Sequence, residues 1–321
     1  SLYMPNAVPL LITFGVQFLI SVLWTFLAHQ WYFHNFRPGR TAVIYDLREG
    51  MESLVGEYGM EKKFHIEKVL GVEECLAKLS VLDEMDTVFL SGIHSHERNI
   101  ILKYCMYQDI QVYVIPRIGD VIMGGAKKVH MFHLPMLRID RYRPIPEYTI
   151  AKRAFDILFS GIAIVIASPF MLVTAIAIKS DGGPALYKQK RLTKDGKEFN
   201  VLKFRSMRVD AEKDGVARLS TGDKDDRITP VGKIIRKIRF DELPQLFNIL
   251  RGDMSIVGPR PERPEIARQY EEEMPEFRLR LQAKAGLTGY AQVYGKYNTT
   301  PYDKLLMDFC LLYTSPSPRD M

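Results

Sequence analysis

The sequence predicts an α/β protein with an N-terminal transmembrane helix, a Rossmann-like domain built on a parallel sheet, and a mostly helical domain with a second membrane segment. Three observations support this fold class. Two runs without charged residues, 8–28 and 157–178, are each long enough to cross a hydrocarbon core. Between them, short apolar runs alternate with amphipathic stretches, a pattern typical of parallel sheets with crossover helices. After residue 181 the chain becomes polar, glycine-rich and basic.

The first apolar run belongs to a predicted membrane segment, residues 1–36. Aromatic residues at 31–33 follow the run as an interfacial belt, and Arg37 and Arg40 place the next part of the chain on the cytoplasmic side. No basic region precedes the run and no small-residue cleavage site follows it, so it does not have the form of a cleavable signal peptide. The alternative is a buried helix of a soluble protein.

The predicted Rossmann-like domain covers residues 37–147. Its apolar runs begin at Thr41, Phe64, Thr87 and Val112. The residues after the first run, 46–50, do not form a GxGxxG motif, so no dinucleotide site is expected. His94 and His96 lack a third ligand and are assigned no role. The three cysteines are widely spaced and form no CxxC pattern, which predicts neither disulfides nor a zinc site.

The second apolar run carries Ser168 and Pro169 near its centre. Proline removes a helical hydrogen bond and favours a bend there. Basic residues flank the run on both sides, and such residues favour the cytoplasmic side of a membrane. They are Lys152, Arg153, Lys179, Lys188, Lys190 and Arg191. The pattern predicts a re-entrant helix that enters the bilayer, breaks at Ser168 and Pro169 and returns, and the alternative is a kinked helix that crosses.

The adjacent acids Asp241 and Glu242 are the candidate catalytic residues. They follow a basic stretch, 233–239, and precede Pro244, a residue suited to an early helical turn. A helix N-terminus and nearby arginines would keep the carboxylates ionised. An ionised carboxylate can attack phosphorus, and its neighbour could hold a divalent cation on a diphosphate. The alternative for an acidic pair at this position is helix capping.

Arg260 and Arg263 are candidate phosphate-binding residues. They lie among Pro259, Pro261 and Pro264, which restrict the backbone. A guanidinium held in place can bind a phosphate through two parallel hydrogen bonds. The alternative is a proline-rich surface turn.

Five sequence blocks resemble the bacterial sugar transferases, also called monotopic polyprenyl-phosphate phosphoglycosyl transferases, and in particular their large exopolysaccharide-type members. The blocks begin at Lys152, Asp181, Lys203, Arg239 and Lys284 and cover most of residues 150–310. The resemblance implies transfer of a sugar 1-phosphate from a UDP-sugar to a polyprenyl phosphate, usually undecaprenyl phosphate, with release of UMP.

The resemblance also implies the roles of individual residues. Asp241 corresponds to the nucleophile, which forms an aspartyl-phosphosugar intermediate, and Glu242 to the ligand of Mg²⁺. Arg236 and Arg260 correspond to phosphate-binding arginines. Ser168 and Pro169 correspond to the membrane break.

The resemblance further implies a catalytic domain at residues 148–309 and an inner-membrane location in bacteria, with this domain facing the cytoplasm. It also implies contact with membrane lipid, a possible homodimer and a role in starting exopolysaccharide or capsule repeat units. Large members begin with several membrane helices, so this chain is expected to be a fragment. Residues 310–321 depart from the family pattern and are expected to be an aberrant tail. The sugar is not identified, although Lys284 to Tyr297 is the expected region of sugar contacts.

Two other functions remain open from sequence. A glycosyltransferase would move the sugar alone and release UDP, and a membrane scaffold or regulatory subunit would not need Asp241 as a nucleophile. Nucleic acid is not an expected partner, because the sequence has no helix-turn-helix, zinc or stacking-aromatic pattern.

Overall fold

The computed structural model describes residues 8–180, 182–208, 227–295 and 299–314. Asp181, Tyr297 and the tail residues 315–321, for which the sequence made predictions, lie outside the described residues. The chain forms two compact units, residues 1–117 and 118–321. The domain boundaries derived from sequence stay predictions.

Helix α1 (Val8–Asn35) is the predicted N-terminal apolar helix, and none of its residues is buried. Its 28 residues would span about 42 Å at about 1.5 Å per residue, more than the hydrocarbon core of a bilayer. The hydroxyls of Thr13, Ser21 and Thr25 each donate to a carbonyl four residues earlier. Because these polar groups are satisfied within the helix, α1 suits an apolar environment.

The first unit contains a four-stranded parallel sheet in the order β2-β1-β3-β4, which confirms the predicted parallel sheet. Its strands are β1 (Gly39–Tyr45), β2 (Phe64–Gly71), β3 (Thr87–Ser91) and β4 (Gln111–Val114). Its helices are α2 (Met51–Glu57), α3 (Val72–Ala77) and α4 (Ser95–Tyr107), with 3₁₀ turns at Met60–Lys62 and Leu79–Leu82.

Side chains on the two faces of this sheet form separate cores. Ile44 and Leu90 belong to the core that includes residues of α3 and α4, whereas Val43 and Phe89 belong to a second core with Val55 of α2. Strand β3 is buried along its whole length, as expected for a strand covered on both faces.

The second unit starts with α5 (Ile118–Gly124) and an antiparallel hairpin, β5 (Lys127–Met131) and β6 (Leu134–Arg138). The following helix, α6 (Pro146–Lys179), contains the second predicted membrane segment and is long and apolar enough to cross a membrane. Side chains at five positions of α6 are buried against the unit, and most of its other apolar side chains are exposed. Helix α6 is therefore both a core element and a candidate membrane helix.

Helix α6 continues through Pro169 without ending there. A proline at this position has no N–H to donate to the carbonyl of Val165, four residues earlier. Ser168 Oγ donates to that carbonyl oxygen at 2.8 Å instead. The hydroxyl thus satisfies the acceptor that Pro169 leaves, and the re-entrant path stays a prediction.

The remainder of the second unit combines helices with two small sheets. The strands are β7 (Leu186–Leu192), β8 (Glu198–Phe204), β9 (Ser255–Val257) and β10 (Gly286–Thr288), of which β7 and β8 pair antiparallel and β9 and β10 pair parallel. The helices are α7 (Pro230–Lys237), α8 (Gln245–Arg251), α9 (Pro264–Glu273), α10 (Tyr290–Val293) and α11 (Pro301–Phe309). Shorter 3₁₀ segments are Lys194–Gly196, Phe240–Glu242 and Pro275–Gln282.

The first residues of the predicted aberrant tail continue the fold. Cys310–Thr314 form a π-helical turn directly after α11. Leu312 is buried, and the Tyr313 hydroxyl lies 3.0 Å from Gln282 Nε2, which donates to it. This part of the tail therefore packs against the second unit.

Candidate active site

The acidic pair lies in a tight turn between two helices. After α7 ends, Arg239 adopts a left-handed backbone conformation with φ of 58°, and Phe240–Glu242 form a single 3₁₀ turn. Helix α8 begins only at Gln245, and its N-cap is Pro244. The sequence predicts a helix that starts near Asp241. The structure instead has a 3₁₀ turn there, because the left-handed backbone of Arg239 changes the direction of the chain before α8. No side-chain cap is present at either helix start, so the capping alternative is not realised.

A buried amide fixes α8 against strand β8. Asn248 Oδ1 accepts a hydrogen bond from the Leu202 amide at 2.9 Å, and Asn248 Nδ2 donates to the Asn200 carbonyl at 2.8 Å. The side chain therefore pairs with the strand backbone as another strand would. Lys203 is the next residue of β8 after Leu202, so this contact also holds Lys203 near α8.

Two cations bind the carbonyl groups at the end of α8. Arg153 of α6 donates to the carbonyls of Ile249 and Leu250 at 2.6 and 2.7 Å, and Lys284 donates to the Gly252 carbonyl at 2.8 Å. Such carbonyls have no partner within the helix, and positive charge is favourable at this end. The contacts join α6, the candidate membrane helix, to the helix that follows the acidic pair.

Glu242 forms an ion pair with Lys203, whose Nζ donates to Glu242 Oε1 at 2.8 Å. Burial by itself would raise the pKa of Glu242. The charge and hydrogen bond of Lys203, with the charges of Arg260 and Arg239, outweigh it and hold the pKa below its ordinary value. Glu242 is therefore ionised at neutral pH.

The pKa of Asp241 is shifted in the opposite direction to that of Glu242. Burial raises its pKa above the ordinary value, and the negative charge of Glu242 adds to the rise, while Lys203 and Arg236 oppose it. Neighbouring carboxyls with pKa values moved apart can take different chemical roles. A partly desolvated carboxylate is also a stronger base and nucleophile than one in water.

A small, open polar cleft lies beside Glu242. Charged side chains of both signs lie on its wall together with two neutral amides. The lining residues are Arg191, Val201, Lys203, Glu242, Gln245, Arg260, Pro261, Gly286, Leu287 and Gln292. The close approach of the chain segments here requires glycine, because a Cβ on Gly286 would lie 2.1 Å from the Gly258 nitrogen.

The cations of the cleft affect one another. The pKa of Arg191 is lowered to about 10, mainly by burial. The charge of Glu262 opposes this shift, and the charges of Arg260 and Arg263 contribute to it. The charges of three guanidinium groups thus act on one another, and Glu262 partly offsets their effect on Arg191. A polyanion bound in the cleft would relieve their repulsion.

The predicted site residues occupy different places. Glu242 and Arg260 line the cleft, whereas Asp241 is adjacent in the chain but is not among the lining residues. The charge of Arg236 acts on Asp241, and Arg263 is the N-cap of α9. Ser168 and Pro169 lie in α6, away from the cleft lining.

Sequence reasoning missed several residues of the cleft. Lys203 and Arg191 lie inside blocks that carried the family resemblance, yet no role was predicted for either side chain. Gln245 and Gln292 were also missed. The available signal for the two cations was the basic residues of β7 and the one basic residue of β8, which are Lys188, Lys190, Arg191 and Lys203.

A second group of charges lies behind the cleft, and it comprises Glu262, Arg280 and Asp308. Arg280 Nη2 is 2.6 Å from Asp308 Oδ2 and also donates to the Arg260 carbonyl at 2.6 Å. Glu262 lies 3.9 Å from both Arg191 and Arg280. Burial raises the pKa of Asp308 to about 6, Arg280 opposes the rise and Glu262 adds to it. This buried cluster holds the backbone of the cleft residue Arg260.

The chain is similar in sequence to known proteins. The sequence profile of the family described as bacterial sugar transferase matches residues 147–315. A UDP-N-acetylgalactosamine-undecaprenyl-phosphate N-acetylgalactosaminephosphotransferase of Aeromonas hydrophila is 41% identical over 197 residues, 61% of this chain and 45% of that protein.

Two proteins named UDP-glucose:undecaprenyl-phosphate glucose-1-phosphate transferase are also similar. The protein of Caulobacter vibrioides is 43% identical over 47% of this chain and 57% of its own length, and that of Escherichia coli K12 is 38% identical over 54% and 35%. In these three comparisons the chain matches less than two thirds of the relative's length.

Proposed function

The chain belongs to the bacterial sugar transferase family, and from this premise we propose that it transfers a sugar 1-phosphate from a UDP-sugar to undecaprenyl phosphate. The reaction would start exopolysaccharide or capsule repeat units. The observation that carries the proposal is the turn with Asp241 and Glu242, in which one carboxyl has a raised pKa, the other is paired with Lys203, and a cationic cleft lies beside them. The names of the relatives support the same substrate classes.

In the first step, a carboxylate oxygen of Asp241 attacks the phosphorus that carries the sugar. A bond forms between Asp241 and phosphorus, and the bond from that phosphorus to the bridging oxygen breaks. UMP leaves with the bridging oxygen and its electron pair. In the second step, an oxygen of undecaprenyl phosphate attacks the same phosphorus, which releases Asp241 as a carboxylate and yields a polyprenyl diphosphate sugar.

The cleft cations would bind the diphosphate and stabilise charge on the leaving UMP. Arg260 and Arg191 offer planar groups suited to phosphate oxygens, and Lys203 offers a point charge. Preorganised charges of this kind can supply much of the catalysis of phosphoryl transfer, because little covalent chemistry is left to the protein. Arg236 acts on Asp241 by its charge and would favour the ionised nucleophile.

Glu242 is the residue that would hold Mg²⁺, together with substrate phosphate oxygens and water. It fits this role because it is ionised and lines the cleft. Across the described part of the chain, no group of three or more His, Cys, Asp or Glu side chains is arranged for a metal. One protein carboxylate with phosphate ligands is a common mode for Mg²⁺. When bound, the ion supplies positive charge to the diphosphate.

The cellular setting is part of the proposal. We place α1 and α6 in the bacterial inner membrane, with α6 re-entrant at Ser168 and Pro169 and the catalytic unit at the cytoplasmic face. The two long apolar helices support membrane association. A homodimer is suggested only by resemblance to the large members of the family.

Product identity tests the proposal. The chain in lipid vesicles would be incubated with UDP-sugars, Mg²⁺ and undecaprenyl phosphate, and UMP and UDP would be measured, with Asp241→Asn as the comparison. We expect UMP, and its release should disappear in the variant. Without undecaprenyl phosphate, mass spectrometry should find the sugar phosphate on the peptide that contains Asp241.

Other outcomes identify the alternatives. Release of UDP would indicate a glycosyltransferase. UMP release that persists in Asp241→Asn would exclude the aspartyl intermediate. A cellular role that survives Asp241→Asn without any turnover would favour a scaffold or regulatory subunit.

A further inference from the structure

Arg239 has a backbone conformation that its residue type does not favour. Its φ of 58° lies in the left-handed region, where the Cβ of an ordinary residue comes too close to a neighbouring carbonyl oxygen. Glycine takes this conformation without that cost, and asparagine and aspartate tolerate it better than long side chains do. An arginine held in this conformation directly before the acidic pair points to a role for its side chain.

The turn fixes the backbone of Arg239 relative to the acidic pair. The Arg239 amide donates to the Arg236 carbonyl at 3.2 Å, and the Arg239 carbonyl accepts a hydrogen bond from the Glu242 amide at 3.3 Å. Asp241 lies two residues further along the chain, in the 3₁₀ turn that Arg239 precedes. The base of the arginine side chain is therefore held on both sides, two residues from the proposed nucleophile.

The guanidinium of Arg239 is accessible to a ligand. The residue is exposed, and within the part of the chain that the structure describes its side chain makes no hydrogen bond or ion pair. Other arginines of this unit already have partners. Arg153 donates to two carbonyls at the end of α8, and Arg280 is buried beside Asp308. An accessible guanidinium of this kind can bind phosphate oxygens through its planar fork.

The charge of Arg239 reaches the acidic pair from outside the cleft. It is one of the charges that hold the pKa of Glu242 below its ordinary value. Arg239 is not among the residues that line the cleft, so it is distinct from the cations placed there for the donor diphosphate. A phosphate that approaches two neighbouring carboxyl groups is repelled by any that is ionised, and a cation beside them offsets that repulsion.

We propose that Arg239 is a phosphate-binding residue of the active site and holds a phosphate group of a reactant at the turn that carries Asp241. Two reactants carry phosphate, the polyprenyl phosphate acceptor and the UDP-sugar donor. We expect the acceptor, because Arg239 lies outside the lining of the cleft assigned to the donor. This inference rests on the proposed function, since that function brings both reactants to Asp241.

Arg239→Gly separates a role of the side chain from a role in the fold. Glycine relieves the left-handed conformation, so we expect the thermal unfolding midpoint to rise by about 2 °C. Asp195→Gly is the matched control, because Asp195 has the same φ of 58° and is exposed in the same unit without lining the cleft. Arg239→Lys keeps the left-handed residue and its charge.

Binding of two probes to the full chain in detergent micelles measures the phosphate contact without turnover. Farnesyl phosphate, a short polyprenyl phosphate, represents the acceptor, UDP represents the donor, and farnesol is the reference without phosphate. We expect Arg239→Gly to bind farnesyl phosphate about tenfold more weakly than the unmodified protein, with unchanged affinity for UDP and farnesol. Arg239→Lys should lose about threefold or less, and Asp195→Gly should lose nothing. A tenfold loss for UDP in place of farnesyl phosphate would support phosphate binding and identify the donor as its source.

Three results would overturn the proposal. They are unchanged affinity for both phosphate probes in Arg239→Gly, an equal loss for farnesol, and a lower unfolding midpoint, which would show that the left-handed arginine serves the fold. Failure of the unmodified protein to bind either phosphate probe would overturn it as well.

UMP release scores the proposed function separately. Weaker binding of farnesyl phosphate by Arg239→Gly, without UMP release by the unmodified protein, would keep the phosphate contact and remove the proposed function. UMP release with unchanged KM for undecaprenyl phosphate and for the UDP-sugar in Arg239→Gly would keep the proposed function and remove this inference.

Discussion

Two clusters of charge in the second unit are built from similar residue types, and they differ most in the burial of one ion pair. The open cluster comprises Arg191, Lys203, Glu242 and Arg260 on the cleft wall. The buried cluster comprises Glu262, Arg280 and Asp308, and its ion pair is only 2% and 0% exposed. Charges at a cleft can exchange their mutual contacts for those of a ligand, whereas sealed charges cannot. Burial, and not residue type, therefore distinguishes the charged side chains that can bind a ligand from those that stabilise the fold.

Arg260 connects the two clusters. Its side chain lines the cleft, and its carbonyl accepts a hydrogen bond from Arg280 in the buried cluster. If the comparison is correct, variants of the open cluster should change activity while the fold stays intact. Variants of the buried cluster should change stability first and activity only through Arg260.

Asp241→Asn should produce the largest effect. Asparagine keeps the shape of the side chain but cannot form the phosphosugar bond, so we expect UMP release to fall roughly a thousandfold or more, about 4 kcal/mol in the barrier. The thermal unfolding midpoint should not fall, because burial already disfavours the charged form of Asp241. Asp195→Asn, on the surface beside Arg141, is the control and should keep both properties. A large loss of stability in Asp241→Asn would indicate that Asp241 supports the fold and would contradict its role as the nucleophile.

Arg280→Met should act on stability. The change leaves the Asp308 carboxyl buried without its cation and removes the donor to the Arg260 carbonyl. We expect a loss of about 3 kcal/mol in the free energy of unfolding, measured by thermal or denaturant unfolding. Arg278→Met, on the same 3₁₀ segment but exposed, should cost less than about 0.5 kcal/mol. Similar stability in the two variants would show that the buried pair does not support the fold.

Arg260→Lys tests the role of the Arg260 side chain in the cleft without changing the hydrogen bond between its carbonyl and Arg280. Lysine keeps the positive charge and the carbonyl that Arg280 binds, but it lacks the planar fork. We expect kcat/KM for the UDP-sugar to fall about thirtyfold, or about 2 kcal/mol, with unchanged stability. The kcat/KM of Arg263→Lys should fall less, because Arg263 does not line the cleft. Equal losses of kcat/KM in the two variants would support the prediction from sequence that both arginines bind phosphate directly.

Lys203→Met should move the pH dependence of activity. Lys203 lowers the pKa of both Asp241 and Glu242, so its loss raises both values. Since Asp241 must be ionised to attack, the acid limb of the kcat/KM profile should shift to higher pH, with about tenfold lower activity near neutral pH. Lys190→Met, whose exposed amine pairs with Glu198, should leave the limb in place. If the acid limb does not move in Lys203→Met, it reports the ionisation of a group other than Asp241.

The parts that sequence predicted are those with local signals. The apolar runs, the four strands and the acidic pair can each be read from neighbouring residues. A helix that continues past Pro169 was only the alternative to a break, because its continuity depends on one hydroxyl, Ser168 Oγ, that replaces a missing donor. The start of α8 was placed too early, since the strained backbone of Arg239 has no signature in composition.

The contacts of the candidate site are mostly nonlocal. Lys203 and Glu242 are 39 residues apart in the chain, and Arg153 reaches the carbonyl of Ile249 across 96 residues. Arg280 and Asp308 look like surface charges in sequence, because nothing in their local pattern reports burial. The sequence could therefore show that the chain has the residue types needed for phosphate chemistry. It could not show which cations line the cleft and which are buried.

The change in the pH dependence of stability caused by Asp308→Asn should be the smallest effect, and it is the sharpest test of the buried cluster. Burial raises the folded-state pKa of Asp308 to about 6, above the ordinary value of 3.8. The folded protein thus binds this proton more tightly than the unfolded chain does. The resulting stability is fully present below about pH 4 and is lost as pH rises through about 6. Asparagine has no proton to lose and should lack this dependence.

Relative to the variant, the unmodified protein should therefore lose roughly 1 kcal/mol of unfolding free energy between about pH 5 and pH 7. The measurement is denaturant unfolding of both proteins across this range, and the difference between them removes the contribution of other titrating groups. A difference that grows in favour of the unmodified protein would mean that Arg280 outweighs burial. Asp308 would then be a charged partner at all these pH values, and the two clusters would differ in exposure but not in the protonation of their carboxyls.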